Sequence, residues 1–247
     1  MYQIVIPSYK RSSICNNQTL ATLNRLGISK ELINVFVIQD EYDLYKSDLN
    51  SEFYNEIIIG VTGLVAQRKF IEEYYPENTC ILSIDDDITD IDLSMTAYLD
   101  LNDFIIKAFE DCNKYNSFIW GLYPVFNPFF RKTKKELSTN LNYIVGALYG
   151  YINRKNIINL VLDGNKEDVE RTIKYYINDG VVLRYNKIGF KTKYYGSIGG
   201  LGTLAERVDE MKRCAIYLNE TYPNLTRIKV RPNGLYEIVL KRTSIKK

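Results

Sequence analysis

Ile81-Leu82-Ser83-Ile84-Asp85-Asp86-Asp87 is an apolar run of strand length that ends abruptly in three acids. Side chains alternate faces along a strand, so Asp85 and Asp87 are expected to point the same way. Carboxylates this close repel one another unless solvent or a cation neutralises them. In an open α/β sheet, ligands bind beyond the carboxyl ends of the strands, which makes this pair a place where a divalent ion and a diphosphate can meet. Taken alone, the acids also read as a loop that caps the next element through Thr89 or Asp90.

Working outward, residues 1–121 alternate short β-branched runs with helical patterns, the signature of βαβ units and a largely parallel sheet. Strands are expected over 2–6, 33–38, 56–60, 79–84 and 117–121. Asn16 or Asn17 is placed to cap a helix whose Leu20, Leu23 and Leu26 share a face, with Gly27 to end it. A helix over 64–75 is stopped by Pro76, and another over 102–115 buries Phe104, Ile105, Ala108, Phe109 and Cys112.

The alternation breaks at the aromatic stretch Pro124-Val125-Phe126-Asn127-Pro128-Phe129-Phe130 and the basic turn 131–135. A strand over 141–153, a short helix over 167–178 and two strands over 181–185 and 191–195 follow. Thr203 with Glu206 forms a capping box for a helix carrying the stripe Leu204, Val208, Met211, Ala215 and Leu218. Residues 226–242 alternate around Pro232-Asn233-Gly234 and predict a terminal β-hairpin.

A chain of 247 residues that is 46% apolar can bury a full core, and one domain is the simplest count. Its net charge of +2 excludes a global field suited to bulk binding of nucleic acid or anionic membrane. Cys15, Cys80, Cys112 and Cys214 show neither zinc-site spacing nor a disulfide framework, which fits a reducing compartment. No stretch approaches the ~18 consecutive apolar residues of a membrane span, and the N-terminus has no secretory pattern. These features predict a soluble, cytoplasmic protein without a membrane partner. The heavy use of Ile, Lys, Asn and Tyr suits the AT-rich genomes of many viruses and some bacteria. Histidine is absent, so Ser-His-Asp hydrolysis, Cys-His chemistry and most zinc catalysis are excluded. Carboxylates must carry any acid–base or metal work.

The loops at neighbouring strand ends supply the rest of a site. Pro7-Ser8-Tyr9-Lys10-Arg11 follows the first strand and Gln39-Asp40 the second. Between the third strand and the aspartates, Gly60-Val61-Thr62-Gly63-Leu64-Val65-Ala66-Gln67-Arg68-Lys69 brings a glycine turn and a helix with an arginine, whose planar fork matches anionic oxygens. A second acidic group, Lys166-Glu167-Asp168-Val169-Glu170, begins a later helix, where the dipole is expected to keep Asp168 ionised. Trp120-Gly121 and Gly146-Ala147-Leu148-Tyr149-Gly150-Tyr151 lie between the two clusters; their glycines allow close approach and their aromatics can frame an acceptor.

Taken in this order, the motifs resemble those of GT-A glycosyltransferases of the family 2 kind. The resemblance implies a GT-A (Rossmann-like) α/β fold: a mixed, mostly parallel sheet flanked by helices, with a C-terminal helix and β-hairpin. It implies one catalytic domain in which residues 1–121 bind the nucleotide sugar and 122–247 the acceptor. Donor binding would fall to Pro7, Ser8, Tyr9, Arg11, Gln39, Asp40, Gly63, Arg68, Asp85 and Asp86, and a Mn²⁺ or Mg²⁺ ion to Asp87 and Asp85. Asp168, with Glu167 beside it, would remove the acceptor proton, and Trp120, Tyr149 and Tyr151 would face the acceptor. Two departures are Lys69, where the family usually has asparagine, and the missing late histidine ligand.

The stretch from Glu167 through Gly199-Gly200-Leu201 to Tyr222-Pro223 has a looser similarity to virus- and phage-encoded glycosyltransferases that decorate hydroxymethylated pyrimidines in DNA. The acceptor implied is therefore a DNA base or a glycan hydroxyl. Two other readings stand beside this one. A sugar-phosphate nucleotidyltransferase shares a related sheet but normally has a glycine-rich loop after its first strand. A nucleic-acid-binding module could use Arg227, Lys229, Arg231, Lys241, Arg242, Lys246 and Lys247 of the terminal hairpin.

Overall fold

Four short β-branched runs form the parallel part of the sheet. β1 (Tyr2–Pro7), β2 (Ile33–Val37), β3 (Glu56–Ile59) and β4 (Cys80–Ile84) lie in the order β3-β2-β1-β4. Ile4, Ile6, Val35, Val37, Leu82 and Ile84 face one core, while Val5, Phe36, Ile58 and Ile81 face another. Burial on both faces is what a parallel sheet covered by helices requires.

The computed structural model describes residues 1–192 and 204–241. The expected strand beyond Thr192, the 197–202 glycine loop, the Thr203 cap and Arg242, Lys246 and Lys247 lie outside the described residues. The connections between the first four strands carry α1 (Ser12–Cys15), α2 (Ala21–Arg25), α3 (Tyr42–Asp48) and α4 (Leu64–Tyr74). Asn16 and Asn17 are not caps. The chain is already helical from Ser12, and both lie in a π-helical turn joining α1 to α2. Asn16 instead accepts the Asn50 N–H at 2.8 Å. Leu20 and Leu23 are fully buried, and Gly27 ends the helix at φ 74°.

Beyond β4 the sheet continues through β5 (Asp90–Asp92), β6 (Ile119–Tyr123), β7 (Leu137–Ser138), β8 (Leu148–Ile152) and β9 (Leu183–Lys191). The order runs β4-β8-β6-β9-β5, with β7 beside β9. β8 is antiparallel to both β4 and β6, so β6 and its parallel neighbour β9 run the same way as β1 to β4. The result is a mixed, mostly parallel sheet.

Two sequence expectations change here. Only 148–152 of the strand predicted over 141–153 is pleated: the β4 ladder ends at Ile84 opposite Leu148, so 141–147 has no strand to pair with. The strand expected over 181–185 runs on to Lys191 as β9 (Leu183–Lys191), whose pairing with β6 jumps from Tyr185 to Gly189 through a bulge; of the strand expected over 191–195 only Lys191 and Thr192 are described.

α5 (Leu101–Tyr115) covers the first core, its start capped by Asp100 accepting the Asp103 N–H at 2.8 Å. α6 (Glu167–Asp179) covers the other face and stops at Gly180, φ 75°. α7 (Leu204–Thr221) packs Leu218 with Val169 and Ile173 of α6 and with Ile238 and Leu240 of the terminal hairpin. That hairpin is β10 (Thr226–Val230) and β11 (Tyr236–Leu240). No helix among the described residues is long and apolar enough to cross a membrane.

Gly150 of β8 pairs with Trp120 of β6. A Cβ on Gly150 would stand 2.1 Å from the Trp120 ring. Gly150→Ala is expected to destabilise the fold by at least about 1–3 kcal/mol through overpacking, seen as a lower urea midpoint with an unchanged slope.

Candidate active site

A cleft of about 850 Å³ opens beyond the carboxyl ends of β1 and β4, within the size range of small-molecule sites. Pro7, Ser8, Tyr9, Arg11, Gly63, Arg68, Asp85, Asp86 and Asp87 line it, as do Glu167 and Asp168. Gln39 and Asp40 do not: they are exposed on the turn after Ile38. Glu41, buried next to them, accepts the Lys10 N–H at 2.9 Å and so shapes the loop after β1.

The pleat ends at Ile84, so strand alternation does not govern the three aspartates; Asp87 is nonetheless near enough to Asp85 to raise its carboxyl. Asp86 and Asp87 instead share Arg11, at 3.2 and 3.4 Å. Asp86 also accepts the Ser8 hydroxyl at 2.5 Å, and Asp87 accepts Thr192. Ser8 therefore spends its hydroxyl on Asp86, with Tyr45 at 2.7 Å on its other side, and its N–H on the Phe36 carbonyl at 3.0 Å. Asp85 is the acid turned to the cleft: its side chain is 38% exposed, and its charged partner among the described residues is Arg68 at 3.9 Å. Loss of water pushes the Asp85 carboxyl up to about 7, helped by Asp87, Asp86 and Glu167 and opposed by Arg68. Asp86 is pushed up to about 6 by burial, against the pull of Ser8 and Arg11.

Among the described residues no three acid or thiol side chains converge as a ready-made metal cage. The donor set at the cleft floor is nonetheless all oxygen and poorly neutralised, which suits Mg²⁺ or Mn²⁺ once ligand oxygens and water complete the shell. Asp85 and Asp87 are the residues that would hold such an ion.

Behind the aspartates lies a buried charge network. Glu167 binds Arg68 through one oxygen and Arg171 through the other, the latter at 3.1 Å. Burial pushes the Glu167 carboxyl up, but the two guanidiniums outweigh it and hold it below its ordinary value. A carboxylate held in this way anchors Arg68 and sets the position of Asp168, the residue that follows it. Arg68 also donates to the Gly146 carbonyl at 3.2 Å.

The three expected acceptor aromatics are elsewhere. Tyr149 lies buried with the Arg171 guanidinium 3.7 Å and that of Arg68 5.6 Å from its ring centre. Tyr151 stacks on Tyr149 at 5.7 Å. Trp120 is wholly buried among Phe104, Phe109 and Tyr185. β6 and β8 are interior strands covered on both faces, so their side chains serve the core and do not line the cleft.

Asp168 is half-buried at the cleft wall. One of its oxygens accepts the Tyr143 hydroxyl and the Gly146 N–H at 3.1 Å, and the other accepts the Val169 N–H at 2.8 Å. Its carboxyl is nevertheless raised, first by burial and then by Glu167. Burial and the neighbouring Glu167 carboxylate together outweigh the helix-end effect expected from the sequence.

Sequence reading missed Tyr143, which lay inside the strand predicted over 141–153, and Thr192, Arg171 and the β11 wall from Glu237 to Leu240. Gln67 had a signal in Gly60. A Cβ there would be 2.2 Å from Gln67 Oε1, the atom that accepts the Val61 N–H at 2.7 Å.

No protein-family model and no curated protein sequence matches the chain. Solved structures do. Mannosyltransferase PcManGT from Pyrobaculum calidifontis, in complex with GDP-Man and Mn²⁺, aligns with a TM-score of 0.58 at 10% identity over 90% of this chain and 64% of its own. Glucosyl-3-phosphoglycerate synthase from Mycobacterium tuberculosis, bound to Mn²⁺, UDP-glucose and phosphoglyceric acid, aligns with a TM-score of 0.51 at 8% identity, over 97% and 86%. A mycobacterial protein gives 0.51 at 10% identity, over 100% and 85%. The chain has the GT-A fold. Identities this low speak to architecture. Within the GT-A frame the cleft lies at the carboxyl edge of the parallel strands.

Glu167→Gln removes the one acid between two buried guanidiniums. It is expected to cost about 3–5 kcal/mol, measured as a drop in the chemical denaturation midpoint; a change within error would show that the network is not structural.

Proposed function

We propose that the protein is a metal-dependent glycosyltransferase that moves a sugar from a nucleoside-diphosphate donor to an acceptor hydroxyl with inversion. The observation that carries this reading is the arrangement around Arg68. On one side it reaches Asp85 at the cleft floor, and on the other it is fixed by Glu167, the residue before Asp168. A cationic fork for the leaving diphosphate and a carboxylate base are thus held on one wall.

In the reaction, the bond from the anomeric carbon to the diphosphate breaks as the acceptor oxygen bonds to the same carbon from the opposite face. The acceptor proton passes to Asp168. Tyr143 and the Gly146 N–H hold that carboxylate in place, while Arg68 and Arg11 offer fixed positive charge to the departing phosphates. Tyr9, part-exposed after β1, is placed to stack on the donor base. Bound Mn²⁺ or Mg²⁺ would sit at Asp87 and Asp85 and supply Lewis-acid stabilisation to the leaving group. In this reading residues 1–121 hold the donor and 122–247 the acceptor, a hydroxymethylated pyrimidine in DNA or a glycan hydroxyl.

The deciding experiment screens nucleotide sugars for binding and for metal-dependent hydrolysis, then presents the best donor with hydroxymethylated DNA and with free sugars. Asp87→Ala and Asp168→Asn are each expected to lower transfer by about 10²-fold or more with the fold intact by circular dichroism. Full activity in either variant sinks the assignment.

The raised Asp168 carboxyl sets the sign of the pH dependence. The base works ionised, so kcat/KM should fall as pH drops through a value above the ordinary carboxylate range. Tyr143→Phe removes a donor to the ionised form and should move that acid limb to still higher pH; a limb that stays put or moves down argues against Asp168 as the base.

A further inference from the structure

Segment 124–136 leaves the sheet at the end of β6, which runs in the same direction as β4, so it emerges on the cleft side of the molecule. The cleft residue Arg184 holds its guanidinium 5.2 Å from the ring centre of Tyr123, directly before the segment. The segment is bolted down. Arg131, fully buried, binds the carbonyls of Phe126, Asp92 and Lys187 and the Asp92 carboxylate. Gly189 makes room for it, since a Cβ there would lie 3.1 Å from the Arg131 guanidinium carbon. Asn186 adds a bond to the Lys135 carbonyl at 3.1 Å, and Lys187 one to the Lys132 carbonyl at 2.6 Å.

What this anchoring displays is two exposed phenyl rings and three lysines, with the Lys132 ammonium 4.8 Å from the ring centre of Phe129. Phe129 is 63% and Phe130 52% exposed, with ring centres 5.4 Å apart and planes at 88°. Lys132, Lys134 and Lys135 are exposed and make no ion pair among the described residues, and Glu136 is the only acid of the segment. The nearby acids Asp92 and Asp90 are engaged by Arg131 and Arg25.

We propose that segment 124–136 is a nucleic-acid docking surface, in which the three lysines engage phosphates and the Phe129–Phe130 pair acts as a wedge between bases. Fixed positive charge beside exposed apolar rings complements a chain that alternates phosphates with flat bases. A perpendicular ring pair offers no parallel stacking platform; its edge is the shape of an inserting wedge. The inference builds on the glycosyltransferase reading and selects a base as the acceptor. A base can enter a cleft beside Asp168 only after leaving its stack, and a wedge on the cleft side of the sheet would lower that barrier.

The test uses the full chain and a 20-base-pair duplex carrying 2-aminopurine, with its single strand and anionic phospholipid vesicles as further probes. Wild type should bind both DNAs with strong salt dependence and raise 2-aminopurine fluorescence in the duplex. Substituting Lys132, Lys134 and Lys135 together by Gln should flatten the slope of log K against log salt by about 2–3 at unchanged thermal stability. The double variant Phe129→Ala, Phe130→Ala should keep the salt slope and lose the fluorescence rise. Absent DNA binding by wild type, an unchanged slope in the lysine variant, an undiminished rise in the phenylalanine variant, or capture by vesicles in place of DNA overturns the proposal. Transfer to free sugars without DNA binding leaves the enzyme reading standing and removes this one; DNA binding without any nucleotide-sugar binding does the reverse.

Discussion

The contact of Arg68 and Arg171 with the single carboxylate of Glu167 is the constraint on which the rest of the site depends. Arg68 and Glu167 are 99 residues apart in sequence, one on α4 and the other at the start of α6. Three charges taken out of water cost several kcal/mol each unless each is answered by a partner. The carboxylate answers both guanidiniums, and Tyr149 offers them an aromatic face. Because the first residue of α6 is held this way, its second residue, Asp168, is fixed as well. Movement of α4 would therefore be felt at Asp168 and at Arg68 together.

The same logic explains the cleft floor. Three adjacent acids cannot share one environment, and the turn after β4 gives each a different one. Asp86 faces inward to Ser8 and Arg11, Asp87 is shared between Arg11 and Thr192, and Asp85 is turned to the cavity. Arg11 thereby serves as an internal counter-cation for the two acids that solvent reaches least. A ligand that draws on Arg11 must compete with Asp86 and Asp87, so anion binding at Arg11 and cation binding at Asp87 favour one another.

The first four strands were legible because parallel strands buried on both faces leave an unbroken β-branched signal, as in Ile4-Val5-Ile6. The motifs at their ends were legible for the same reason: strand ends fix where the loops begin. The 141–147 stretch was not, since Leu141, Ile144 and Val145 are apolar for packing beneath α6 and beside the sheet, without a ladder. Periodicity cannot tell a buried bend from a strand. The aromatic residues misled in a related way. Trp120, Tyr149 and Tyr151 have the composition of a binding surface, yet neighbouring glycines make room for them inside: Gly150 exists in that position because Trp120 lies over it. The most exposed aromatics among the described residues are Phe129 and Phe130, in the stretch where alternation had failed.

The raised carboxyls give the site its electrostatic direction. Asp85, Asp86 and Asp168 are all shifted upward although Arg11, Arg68 and Arg171 are nearby. Had the arginines balanced the acids, the burial cost would have been offset and the shifts would have gone down, as at Glu167. Burial is the first cause of all three shifts, and at Asp85 the Arg68 guanidinium, 3.9 Å away and also bound to Glu167, offsets it only in part. Under the proposed reading a divalent cation would complete that offset and leave a diphosphate an ion beside a fixed guanidinium. Asp168, one residue beyond Glu167, is raised first by burial and then by Glu167; in the proposed reaction a carboxylate made reluctant to ionise would hold the acceptor's proton more strongly.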